Sequence, residues 1–472
     1  MRRPPPSLPK QQRGALLILL VIALAILAVT VFVGMLSSSD IQNERNKKTA
    51  AALAEAKAAL IGFAAGVNLT TTANRRPGDL PCPDINNDGI AETSCGNADG
   101  TTGQNLRIGR LPWKTLGLTD LRDGEGERLW YAVSNNFKNN TRTICTSPGQ
   151  PGCLNSDSKG TITIRNSNGQ IIYDGSGSTG AVAIVISPGA VLQRQGAANT
   201  QDRSCTIGTN CDAAEKCTTN PTSLTPKCNP VNYLDIGNGE DNTDFVDGNS
   251  NGFINGSISV ANPLNPNNRI VIVNDRLLTI STDEIIPLLA KRVGGEVMNC
   301  LAIYSATNQN NQRYPWAAKL DSSAPPNYTD ATDVRFGRIP DSPFSNTQTS
   351  SGSTMDTNWP GACKITSNSG WWLNWKEMVF YGVADAYKPS NATNLPMSPA
   401  CPSCLKVNPP SATADKRVVV IVAGKMLPGQ SRTINADKGN AANYLEGGNE
   451  SGIDMYTSGN TTPTFNDYLF YK

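Results

Sequence analysis

The chain has 472 residues, room for two or three domains, and its 41 Lys and Arg nearly balance 39 Asp and Glu, which gives no footing for nucleic acid or a strongly acidic partner. It contains no histidine, which excludes Ser-His-Asp and Cys-His catalysis and every imidazole-ligated metal centre. Charged residues make up only 17% and cysteines number 12, a balance that fits an extracytoplasmic, β-rich protein whose thiols are oxidised.

Residues 1–14, MRRPPPSLPKQQRG, are short and basic and end in Gly14. Ala15 to Leu36 then run for 22 residues without a charge, long enough to cross a bilayer as a helix. No small-residue cleavage site follows. Instead Leu53, Ala56, Leu60 and Phe63 recur at helical spacing. Unbroken from Ala15 to Gly66, such a helix is roughly 75–80 Å long at 1.5 Å per residue. A glycine between a basic leader and an apolar run resembles the prepilin N-terminus of type IV pilins and type II secretion pseudopilins. The resemblance implies cleavage between Gly14 and Ala15 by a prepilin peptidase and methylation of Ala15. It also implies a single-pass bacterial inner-membrane protein with its globular part in the periplasm or on an extracellular filament, partnered by other pilin or pseudopilin subunits. The family usually carries Glu at the fifth mature position, and Leu19 stands there instead. That departure is similar to the minor pseudopilin at the filament tip. A plain signal anchor with its basic end in the cytoplasm is the other reading.

Beyond the helix, Asp84, Asn86 and Asp88 alternate before Gly89, with Ile90 and Glu92 following, as in the first half of an EF-hand-type calcium loop. Cys95 occupies the position of the bidentate Glu. A weaker calcium loop is expected at Asp247, Asn249 and Asn251 before Gly252. Such residues are also ordinary turn formers. Cys82 pairs naturally with Cys95 around the first loop, and Cys145 with Cys153. Cys205, Cys211, Cys217 and Cys228 leave three connectivities open, with zinc as the alternative that their wide spacing disfavours.

The chain then repeats itself. GRLP (109–112) returns as GRIP (337–340), RLWYAVSNNF (128–137) as MVFYGVADAY (378–387) and AVAIVIS (181–187) as RVVVIVAG (417–424). NYLDIGN (232–238) returns as NYLEGGN (443–449) and IVNDRLL (272–278) as TFNDYLF (464–470), in the same order. The second copy opens at Ser281-x-x-Glu284, a capping box, followed by a stripe of Leu289, Val293, Val297 and Leu301. Its Cys401-x-x-Cys404 sits in a Pro-rich stretch rather than at a helix N-terminus, so a local bridge is expected in place of redox chemistry, which leaves Cys300 to pair with Cys363. Tyr233 and Tyr444 are expected to be buried, with Asp235 and Glu446 capping loops. Trp371, Trp372 and Trp375 are either a binding face or core.

These readings predict an α+β fold: a leader (1–14), an N-terminal transmembrane and packing helix (15–66), and two tandem pilin-like modules (67–280 and 281–472), each a helix on an antiparallel sheet with disulfide-tied loops. The function expected is a minor pilin or pseudopilin at a filament tip, without catalytic residues, with calcium as the one cofactor suggested. A membrane-anchored adhesin or glycan binder is the alternative, and a carboxylate-based hydrolase stands third.

Overall fold

The computed structural model describes residues 18, 20–26, 38–69, 75–195, 200–206, 211–217, 226–323, 327–347, 355–366, 370–391, 395, 401–452 and 454–472. Gly14, Ala15 and Leu19 lie outside the described residues.

Helix α1, Ser38–Ala65, is built on TAAALAEAKAAL, a run of strong helix formers. Its buried stripe is Ala52, Leu53, Ala56, Leu60 and Ala64, at the spacing that places side chains on one face. The helix closes where Gly66 N donates to Gly62 O. Residues 39–45, at its start, are exposed.

The first half supplies β1 (Ile108–Arg110), β2 (Trp130–Val133), β3 (Ile162–Asn166), β4 (Ile171–Tyr173), β5 (Ala183–Ser187), β6 (Ile236–Gly237), β7 (Glu240–Asp241), β8 (Gly248–Asn255), β9 (Ile258–Asn262), β10 (Asn265–Val273) and β11 (Arg276–Ile280). The second supplies helix α2 (Thr282–Ser305), then β12 (Phe336–Arg338), β13 (Val379–Val383), β14 (Leu405–Asn408), β15 (Ser411–Lys416), β16 (Val418–Val422), β17 (Met455–Thr457) and β18 (Tyr468–Tyr471). α2 begins with the expected capping box, Ser281 N donating to a Glu284 carboxylate oxygen at 2.9 Å.

The two halves repeat one topology. Sheet order β1-β2-β5-β11 matches β12-β13-β16-β18, all antiparallel. A smaller sheet β4-β3-β8 matches β15-β14-β17, each with one antiparallel and one parallel pair. Even a tether is repeated: Tyr131 Oη donates to Pro81 O at 3.1 Å and Tyr381 Oη to Pro315 O at 3.0 Å. β5 and β16 are buried on both faces, which is why they read as unbroken apolar runs. α1 covers β5 and β11, α2 covers β16 and β18, and the helices pack on each other, so one apolar core runs from Ala52 to Tyr456.

The fold expected from sequence is nevertheless corrected. Among the described residues no helix is long and apolar enough to cross a membrane. α1 opens with Asp40, Glu44, Arg45, Lys47 and Lys48, and charges of that density keep a helix in water. Nor does each half close as one pilin-like helix on one antiparallel sheet. Among the described residues strand is divided among six small sheets, because long Asn, Gly and Pro loops carry the chain away from the main sheet and let distant segments pair in parallel. The expected single-pass placement in a bacterial inner membrane falls with the transmembrane helix. Six disulfides fit an extracellular or secreted chain instead.

Candidate functional site

The repeated motifs converge on one buried cluster in each half. Register sets Arg110 opposite Trp130 and Arg338 opposite Phe380. The Arg110 guanidinium lies 4.3 Å from the Trp130 ring and 3.9 Å from Tyr233, whose other face carries Arg203 at 4.8 Å. In the second half Arg338 lies 3.7 Å from Phe380 and 4.3 Å from Tyr444, with Arg432 at 4.4 Å. Each is an aromatic–Arg–Tyr–Arg stack out of water, where the planar cation meets the ring face.

Hydrogen bonds around the stacks match atom for atom. Arg203 Nε donates to Asn232 O and Arg432 Nε to Asn443 O. Gln201 Nε2 donates to Asp235 Oδ1 at 3.1 Å, as Gln430 Nε2 does to Glu446 Oε1 at 2.9 Å. The backbone N–H of Asp235 donates to Asp275 Oδ2 at 2.8 Å, and that of Glu446 to Asp467 Oδ2 at 3.0 Å. Asn242 and Asn449 side chains donate to the same two Asp oxygens. Each half therefore holds two neighbouring acids, Asp235 with Asp275 and Glu446 with Asp467. Burial, reinforced by the adjacent Asp235, pushes the Asp275 carboxyl well above the carboxylate range. Asp467 is raised in the same way by burial and by Glu446. Burial raises Asp235 to about 6. Asp275 Oδ1 and Asp467 Oδ1, equivalent atoms, are both buried without a hydrogen-bond partner, which disfavours the charged form of either acid. Paired acids of this kind are the raw material of general acid–base chemistry. Here they answer backbone N–H groups, and none of the four lines either large cleft between the halves. The two acids singled out from sequence do not meet each other; each meets an Asp of its own half.

The halves differ at the junction. Arg432 Nη1 reaches both Asp157 oxygens at 2.9 Å, and Met426 N donates to Asp157 Oδ1. Tyr444 Oη donates to Glu377 Oε1 at 2.5 Å, whereas Tyr233 lies against Arg110 and Arg203. Gly149, at φ +66, lies against the Glu377 carboxylate, so the loop closed by Cys145–Cys153 covers the second stack. A side chain there meets both a left-handed backbone and the carboxylate. Around this junction lie two clefts of about 740 and 940 Å³, the first lined by Arg76, Arg142, Asp157, Glu377 and Arg432, the second by Ile286, Pro287, Met426 and Tyr468 among others.

The first calcium loop is a compact turn. Asp84 accepts from Asp88 N and Gly89 N, Asp88 Oδ1 from Ile90 N, Asn86 Oδ1 from Asp88 N, and Glu92 Oε1 from Ile85 N. Lys216 Nζ lies 3.2 Å from Asp88 Oδ2 and Lys114 Nζ donates to Asp88 O. Burial raises Asp84 to about 7. One ammonium thus meets the Asp88 carboxylate and the other its backbone carbonyl. In the second candidate loop, Gly248–Asn255 is strand β8 rather than a turn. Asp247 pairs with Arg107 at 2.6 Å, Asn251 bonds the Asp241 and Asp244 backbone, and the side chain of Asn249 lies outside the described residues. Among the described residues no group of three or more Cys, Asp and Glu side chains is placed to hold a metal ion.

All 12 cysteines are bridged: Cys82–Cys95, Cys145–Cys153, Cys205–Cys211, Cys217–Cys228, Cys300–Cys363 and Cys401–Cys404. Trp371, Trp372 and Trp375 are buried core. Sequence reasoning missed the partner acids Asp275 and Asp467 and the Gln-x-Arg pairs Gln201/Arg203 and Gln430/Arg432. Their signal was present, since Asn-Asp recurs at 274–275 and 466–467 and Lys-x-Asn-x-x-Asn-Tyr-Leu at 227–234 and 438–445. No family model, no curated protein and no solved structure matches this chain.

Proposed function

We propose that the chain is a structural subunit of a filament outside the cytoplasm, of the minor pilin or pseudopilin class, acting by contact with other subunits and not by catalysis. The observation that carries this reading is the apolar helical stretch around residues 20–26. Ile18, Leu20, Val21, Ile22 and Leu24 are all exposed, an apolar face that other subunits' helices would cover. Two further features support it: Gly14 ahead of the apolar run, and acid clusters whose polar atoms answer their own half. Leu19, where the class carries Glu, favours the tip over the shaft. A photo-crosslinker placed at Leu24 in cells tests the reading. Crosslinks to other pilin-class subunits are expected; their absence in cells that assemble the filament contradicts it.

A further inference from the structure

A separate pocket of about 340 Å³ opens where the halves meet, bounded by Arg75, Arg76 and Arg142 of the first half and by Trp371, Leu373 and Asn374 of the second. We propose that it binds an oxyanion, carboxylate or phosphate, carried on an apolar or planar body. This inference is independent of the filament reading.

Three guanidiniums line the pocket and no acid does. The segments flanking it in sequence, 70–74 and 367–369, carry no acid either. One carboxylate stands behind the wall: Asp79, fully buried, lies 2.8 Å from Arg76 Nε and 3.4 Å from Arg142 Nη2. Three cations against one anion leave a surplus of two positive charges in a recess with protein walls, where low dielectric focuses the field on an incoming anion. Arg75 is the cation without compensation. Its Nε and Nη2 are buried without a hydrogen-bond partner, and no carboxylate pairs with it among the described residues. The Phe63 ring, 4.3 Å away, fixes its plane, so the guanidinium is held in place before any ligand arrives. Arg76 is anchored in the same manner by Gly152 O and Asn136 O. A fixed guanidinium suits a planar oxyanion better than a mobile ammonium does. The remaining wall combines the apolar Trp371, Leu373 and Ile144, the last 73% exposed at the rim, with the neutral polar Asn139, Asn140, Thr141 and Asn374. Charge surplus selects the oxyanion, and this wall selects the body that carries it.

Isothermal titration of the intact, disulfide-bonded protein tests the proposal with benzoate and phenyl phosphate as probes and benzamide as the neutral control. Saturable binding of at least one oxyanion is expected, weakened at high salt, with none for benzamide. Arg75→Gln should weaken binding by about tenfold or more, the scale of a lost charged hydrogen bond. Ile144→Asp, at an exposed position where folding is undisturbed, should weaken it as well by placing a carboxylate at the rim. No saturable binding of either oxyanion, equal binding of benzamide, or unchanged affinity in both variants would overturn the assignment.

Discussion

At the scale of residues, burial drives the Asp275 and Asp467 carboxyls toward the neutral form. Asp275 and Asp467 each accept a backbone N–H and an Asn side chain through Oδ2 while Oδ1 stands unpartnered. An Asn in either place keeps the accepting oxygen and puts its NH₂ where the acid carries its proton. Asp275→Asn and Asp467→Asn are therefore expected to leave the melting temperature at pH 7 unchanged or raised. Asp275→Ala should lower stability by about 1–3 kcal/mol, because two buried donors lose their acceptor. A raised carboxyl value in the folded state means that the native protein binds the proton more tightly than the unfolded chain. The stabilisation is complete below the unfolded value near 4 and is lost as pH rises through the folded values, about 6 for Asp235 and about 7 for Asp84. Melting temperature should thus fall between pH 5 and pH 8, and the Asp275→Asn, Asp467→Asn double variant should flatten that slope. A wild-type melting temperature that rises over this range, or an Asn variant as damaged as the Ala variant, contradicts the neutral-acid assignment.

At the scale of elements, what was legible in the sequence was local. The capping box at Ser281 and Glu284, the α2 stripe of Leu289, Val293, Val297 and Leu301, and the apolar strands β5 and β16 all follow from periodicity and propensity. Register and crossover were not legible. β3 pairs in parallel with β8, and β14 with β17, across long loops, and no short-range signal reports such a pairing. Parallel pairing with β3 draws Gly248–Asn255 into a strand where the sequence suggested a turn. α2 offers a clean test of its packing through two adjacent glycines. A Cβ on Gly294 would stand 2.1 Å from the Phe470 ring of β18, whereas on Gly295 it meets nothing within 4 Å. Gly294→Ala should destabilise by about 1–3 kcal/mol through overpacking. Gly295→Ala should stabilise by roughly 0.5–1 kcal/mol through helix propensity. Thermal melts showing the same sign for both substitutions would mean that α2 does not lie on β18 as described.

At the scale of the whole molecule, the chain is one topology written twice and joined through a shared core. The repeat was visible as matching blocks, but their convergence on an aromatic–Arg–Tyr–Arg stack was not, because five segments far apart in sequence meet only after both sheets have formed. The second stack differs from the first in being tied across the junction by Arg432 to Asp157 and covered by the Cys145–Cys153 loop. That asymmetry ties the second stack to the first half. The N-terminus decides whether the chain is built into a filament at all. Intact-mass and N-terminal peptide mass spectrometry of the protein from its native host tests this most directly. The account predicts a mature chain that begins at Ala15 with its amino group methylated; a mature chain that keeps Met1, or is cut elsewhere, contradicts it.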